Sequence, residues 1–127
     1  MNNYTTIEQS KKLLELGLNP ETADMNYNID FVHKFGESFQ EFPSYEKVSD
    51  FDIPCWSLGA LRKLLPMGIR YNGRTSFFSC HNREDGTWVY RYVFENDRSC
   101  CYHTGTDLNA CFDTVVWLLT TLNNLEK

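Results

Sequence analysis

The chain has 127 residues, 42% hydrophobic and 15% aromatic, which marks a folded domain and excludes a disordered or low-complexity protein. Its formal net charge is −5 and unevenly spread: residues 1–52 carry ten acids and four bases, residues 62–98 seven bases and four acids. Nonspecific nucleic-acid binding comes mainly from neutralising phosphates, so this balance disfavours it and keeps it open only for the basic middle.

A first helix is expected to start at Thr5 or Thr6, because Thr5-x-x-Glu8 and Thr6-x-x-Gln9 both have capping-box spacing. Ile7, Leu13, Leu14 and Leu16 form its apolar stripe. Gly17 is placed to end it in the left-handed conformation, with Leu18 folding back on the last turn. Asn19-Pro20-Glu21 reads as a new cap with proline at the first helical position, which predicts a short helical turn through Met25. Residues 26–54 show neither a helical period nor an alternation. They predict an irregular segment pinned by its Phe and Tyr rings, with a short strand or helix near Ile29–Phe35.

Ser57 is placed to cap a second helix, with Trp56 stapled onto Leu61, a stripe of Leu58, Leu61, Leu64 and Leu65, and Pro66 as its stop. Three strands follow, Ile69–Cys80, Thr87–Glu95 and Arg98–Thr104, joined by turns at Arg83–Gly86 and at Asn96-Asp97. Thr106 or Asp107 caps a closing helix in which Leu108, Phe112, Val115, Leu119 and Leu122 recur at helical spacing. The expected fold is α+β: a three-stranded antiparallel meander with helices packed on one face, in a single domain over residues 1–127.

Centring the two turns sets Cys80 opposite Tyr90, Phe78 opposite Tyr92, Tyr92 opposite Cys101 and Tyr90 opposite His103. One face then carries Phe78, Cys80, Trp88, Tyr90, Tyr92, Phe94, Cys101 and His103, and is the better buried face. Cys100 belongs with Arg91 and Tyr102 on the other. Cys80, Cys101 and His103 supply the thiols and imidazole that zinc or nucleophilic catalysis requires. Their spacing fits none of the usual zinc sites, and Cys101 and His103 stand about 6–7 Å apart along a strand, too far for direct contact. The plainer reading is small buried thiols, with no metal and no cofactor. No P-loop, dinucleotide fingerprint or nucleophile elbow is present. Arg70, Arg74, Arg83, Arg91 and Arg98, mixed with Tyr71, Phe77 and Tyr102, could instead serve a stacking platform for single-stranded nucleic acid, with Arg74, Arg91 and Tyr102 as its candidate contacts.

Glu37, Glu41, Glu46, Asp50 and Asp52 interleave with Phe39, Phe42, Tyr45 and Phe51. Acid mixed with aromatic rings in an irregular segment suits a protein-docking surface, and Glu41, Phe42 and Tyr45 are its candidate contacts. The five cysteines are odd in number and lack a C-x-x-C, which fits reduced thiols. Met1–Thr6 has neither the basic region nor the apolar stretch of a signal peptide, and the longest apolar run, Val115–Leu119, is far short of the roughly 18 residues of a membrane span. A cytoplasmic protein away from membranes is expected.

The stretches Glu8–Met25 and Ile53–Leu61, with Ala110 and Trp117-Leu118-Leu119 of the closing helix, resemble a group of small bacterial proteins associated with prophages and other mobile elements. The resemblance implies a bacterial cytoplasm and an accessory role in a mobile element, and it transfers no activity and no catalytic residue. The leading expectation is a non-enzymatic module that binds another protein. The alternatives are a single-stranded nucleic-acid binder and a Cys/His thiol or zinc enzyme.

Overall fold

The structure is a computed structural model that describes residues 3–28, 42–47 and 52–125. The chain is α+β and divides into two compact units, residues 1–60 and 61–127.

In the first unit, helix α1 spans Ile7–Glu15. Of the two expected capping boxes the second forms: the Gln9 N–H donates to Thr6 Oγ1 at 3.1 Å, and the Thr6 N–H donates back to Gln9 Oε1 at 3.0 Å. At the far end Gly17 has φ +91°, Leu18 N–H reaches Leu13 O and Gly17 N–H reaches Leu14 O. Those two bonds are a Schellman stop. Asn19 caps the next turn through its side chain, but that turn is a 3-10 helix of Pro20–Thr22 only.

Met25, expected in the helical turn, instead opens strand β1, Met25–Tyr27, which pairs antiparallel with β2, Ile53–Cys55. Pairing Met25 with Cys55 buries Met25, Tyr27 and Cys55 as one cluster, with Tyr4, Ile7 and Ile53 packed on it. That burial outweighs the local preference of Pro20–Met25 for a longer turn. The strand or helix expected near Ile29–Phe35 falls outside the described residues.

Thr5 is the hub of this unit and is fully buried. Its Oγ1 lies 2.8 Å from Ser10 Oγ and accepts from Trp56 N–H at 3.0 Å. Its carbonyl accepts from the Tyr27 hydroxyl at 2.7 Å and from the Cys55 thiol at 3.3 Å. Burial raises the pKa of both Tyr27 and Cys55. Trp56 is also fully buried, and its indole N–H donates to Thr22 Oγ1 at 2.9 Å, which satisfies its one polar atom. Ser57 caps helix α2, Leu58–Lys63, by accepting from Ala60 N–H at 3.1 Å.

The second unit corrects the expected meander. It holds four antiparallel strands in sequence order: β3 Gly68–Tyr71, β4 Arg74–Asn82, β5 Trp88–Val93 and β6 Ser99–Gly105. The run expected as one strand, Ile69–Cys80, is broken by Asn72-Gly73, whose φ angles are +51° and +77°. Both central residues are left-handed, as a two-residue type I′ hairpin demands, and Asn-Gly is the pair that most readily adopts it. The expected register of the two later hairpins is observed: Cys80↔Tyr90, Phe78↔Tyr92, Tyr90↔His103 and Tyr92↔Cys101. Helix α3, Asp107–Leu125, is capped by Thr106 Oγ1 and packs on β5 and β6. Between them lie Tyr90, Tyr92 and Cys101 from the sheet and Leu108, Cys111, Val115 and Leu118 from the helix, all buried.

Among the described residues no helix is long and apolar enough to cross a membrane.

Candidate functional site

Among the described residues two patches present rings to solvent. The first is in residues 42–47. Ser44 and Asn26 exchange backbone hydrogen bonds of 2.7 and 2.8 Å in an isolated antiparallel bridge, so this short piece has a fixed backbone. Ser44 Oγ accepts from Glu46 N–H at 3.2 Å, which tightens the bend. Phe42 and Tyr45 on either side of Ser44 are each 76% exposed, and Glu46 is exposed beside Tyr45. Of the other residues assigned to this segment, Glu37, Phe39, Glu41, Asp50 and Phe51 fall outside the described residues. Asp52 is a correction: expected as a surface acid, it is buried.

The second patch is the sheet face opposite α3. Alternation puts Phe77 on β4, Arg91 on β5 and Tyr102 on β6 toward this side, with Arg91 directly paired to Tyr102. Phe77 is 54% and Tyr102 53% exposed. Arg83 donates to the Tyr102 hydroxyl at 3.3 Å, and Arg91 approaches the exposed Asp97 carboxylate to 3.8 Å. Arg74 does not join them. Its guanidinium lies over the Phe94 ring at 4.7 Å, and its strand partner Tyr71 packs against Phe94 and against Trp117 of α3. The pairing of Arg74 with Arg91 and Tyr102 in one platform is therefore overturned, because residues 74 and 91 point to opposite sides of the sheet.

The thiol and imidazole residues sit under α3. The structure brings Cys101 Sγ to 3.3 Å from His103 Nδ1, closer than strand spacing alone predicts. Both side chains bend toward each other, and Thr114 Oγ1 of α3 stands 3.4 Å from the same nitrogen. The contact does not activate the thiol. Cys101 is 4% exposed, and burial pushes its pKa up to about 12, so it stays protonated and non-nucleophilic near neutrality. Cys111 is pushed to about 12 by the same cause.

Cys80 and His103 flank Tyr90 on neighbouring strands, so a buried ring separates them. Among the described residues no three His, Cys, Asp or Glu side chains gather as a metal site. Cys100 is a further correction. A bulge at Tyr92/Val93 turns its thiol to Ser76, 3.5 Å away on the helix-covered side, rather than toward Arg91 and Tyr102.

One polar cluster was not foreseen. Tyr90 donates to Asp107 Oδ1 and accepts from Arg62 Nε at 2.8 Å, while Arg62 Nη2 reaches both Asp107 oxygens at 3.1 Å. The Arg62 guanidinium also lies 5.4 Å from the centroid of the Trp88 ring. Burial and the bond to Asp107 raise the Tyr90 pKa. The hydrogen bond from Arg62 to Tyr90 is the largest cause raising that of Arg62. The cluster ties α2, β5 and the first turn of α3 together. Its members stand 28 and 17 residues apart in the chain, so no spacing motif announces it.

No protein-family model, curated protein or solved structure matches the chain.

Proposed function

We propose that this chain is a non-enzymatic protein-binding module whose docking element is the segment around Phe42 and Tyr45. The observation that carries the reading is two rings, each 76% exposed, on a backbone fixed by the Asn26–Ser44 bridge. Aromatic anchors dominate binding energy when they enter a partner's pocket, and a backbone already ordered loses less entropy on docking. The partner surface that suits it is an apolar pocket with a basic rim, since residues 1–52 carry ten acids against four bases and Glu46 lies exposed beside Tyr45. The burial of Cys101 and its raised pKa weigh against the thiol-enzyme alternative. An accessory role of this kind agrees with the resemblance to mobile-element proteins.

The test is a photo-crosslinking amino acid placed in turn at positions 42, 45 and 75 of the full chain in a bacterial cell. The expected result is one adduct of defined mass from 42 and 45 and none from 75. The adduct from position 42 should be lost in a Glu46→Gln, Tyr45→Ala variant, and that from position 45 in a Glu46→Gln, Phe42→Ala variant. Absence of an adduct from both ring positions, or the same adducts from position 75, refutes the reading.

A further inference from the structure

We propose that the exposed face of the four-stranded sheet is a stacking platform for single-stranded nucleic acid. This surface belongs to residues 61–127 and does not depend on the Phe42–Tyr45 reading. Three adjacent strands present a ring, a guanidinium and a ring: Phe77 on β4, Arg91 on β5 and Tyr102 on β6. Phe77 pairs with Val93, two residues along β5 from Arg91, while Arg91 pairs with Tyr102. With strands about 4.8 Å apart and about 3.3 Å per residue, the two rings stand diagonally at roughly 12 Å, with Arg91 beside the line between them. Both rings are more than half exposed, so their faces are accessible to a stacking partner. Val89, on the same side, is buried and lies outside the platform.

Charge complementarity selects the occupant. None of the four strands contains Asp or Glu. Arg70, paired with Thr75, is exposed on the same face as Arg91, and Arg83 reaches Tyr102 from the adjoining turn. Asp85, in the same turn as Arg83, and Asp97 border this face. The one that approaches Arg91 is Asp97. Its side chain is 86% exposed and stands 3.8 Å from Arg91, a separation and exposure at which an ion pair contributes little.

Arg91 Nε is buried and has no hydrogen-bond partner among the described residues, so the guanidinium is incompletely engaged. The chain's net −5 does not cancel this local field, because at physiological salt charges are screened over about 8 Å. Exposed rings interleaved with arginines on an open antiparallel sheet suit a ligand that offers flat bases and phosphates together. A carboxylate-rich peptide would satisfy the arginines and leave the rings unused.

The test is fluorescence anisotropy of a fluorescein-labelled oligothymidylate of about 12 nucleotides, within the usual site sizes of such folds, titrated with the full chain at low salt. Binding is expected to weaken with salt at a log–log slope of about −2, from roughly 0.7 per neutralised phosphate for three arginines. Phe77→Ala and Tyr102→Ala should each weaken it about tenfold, while Tyr102→Phe retains affinity. Arg91→Ala should reduce the slope by about 0.7. Arg74→Ala, on the covered side, should leave binding unchanged.

Amide shifts induced in the wild-type chain should centre on residues 77, 79, 91 and 102, a readout independent of any variant's folding. The proposal is overturned by no binding at low salt or by equal affinity in Tyr102→Ala. Equal competition by polyglutamate also overturns it, as does a concentration-dependent dimer that occupies the same residues.

Discussion

Replacing Thr5 by valine keeps the side-chain shape and removes one hydroxyl from the centre of the first unit. Thr5 is fully buried, and its Oγ1 serves the Ser10 hydroxyl at 2.8 Å and the Trp56 amide at 3.0 Å. Valine leaves both without that partner. Ser10 is itself fully buried and sits in a helix, and Trp56 follows strand β2, so water reaches neither readily. An orphaned buried polar group costs about 1–3 kcal/mol, so the pair predicts a loss of about 2–6 kcal/mol. The assay is urea unfolding followed by Trp56 fluorescence in a Trp88→Phe, Trp117→Phe background. With a slope of about 1–3 kcal/mol per molar urea, a loss near 3 kcal/mol lowers the midpoint by about 1–3 M. Thr5→Ser retains the hydroxyl and should lose only about 1 kcal/mol, for one methyl group. Thr5→Val in a Ser10→Ala background should cost less than in the parent, because one of the two orphans is gone. A midpoint for Thr5→Val within about 0.2 M of the parent, less than a tenth of the expected loss at the lower slope, would refute the account of Thr5 as a hub.

Gly73→Ala places a side chain at φ +77° with open space around it, so the cost is backbone strain alone. It should destabilise by about 1 kcal/mol, read as a lower urea midpoint, and equal stability would contradict the type I′ turn. Tyr90→Phe removes the hydroxyl that bridges Arg62 and Asp107. A loss of about 1–3 kcal/mol is expected, much reduced in an Asp107→Asn background, and additive losses would show that the three do not act together.

Alkaline pH gives a further prediction. Burial raises Cys101 and Cys111 from their ordinary value near 9 to about 12, and Tyr27, Tyr90 and Tyr92 shift in the same direction. The folded state holds these protons more tightly than the unfolded one. The stabilisation is therefore complete below pH 9 and is lost as pH rises towards 12. The melting temperature should fall steadily above pH 9, and a flat profile to pH 11 would contradict the burial of these groups.

Local sequence determined the pieces whose cause is local. The Thr6-x-x-Gln9 cap, the Gly17 stop, the Ser57 and Thr106 caps and the spacing of α3 each need only a few neighbouring residues. The register of the two later hairpins was legible because the short turns at Gly86 and at Asn96-Asp97 set which residues face each other. The Asn72-Gly73 pair is an equally strong local turn signal, and it divides Ile69–Cys80 into β3 and β4.

What only the tertiary structure decided rests on residues far apart in the chain. Met25 turns from helix to strand because Cys55 pairs with it, and Thr5 acquires its role from Ser10, Tyr27, Cys55 and Trp56 converging on it. Arg62, Tyr90 and Asp107 meet only once α2, β5 and α3 are in place. The candidate surfaces divide in the same way. Sequence alternation put Arg91 and Tyr102 on one face, whereas the placement of Arg74 on the other came only with the observed strand register. Which face remains open to a ligand was decided by where α3 packs, since helix packing is chosen by burial of the whole apolar surface and not by any one strand's pattern.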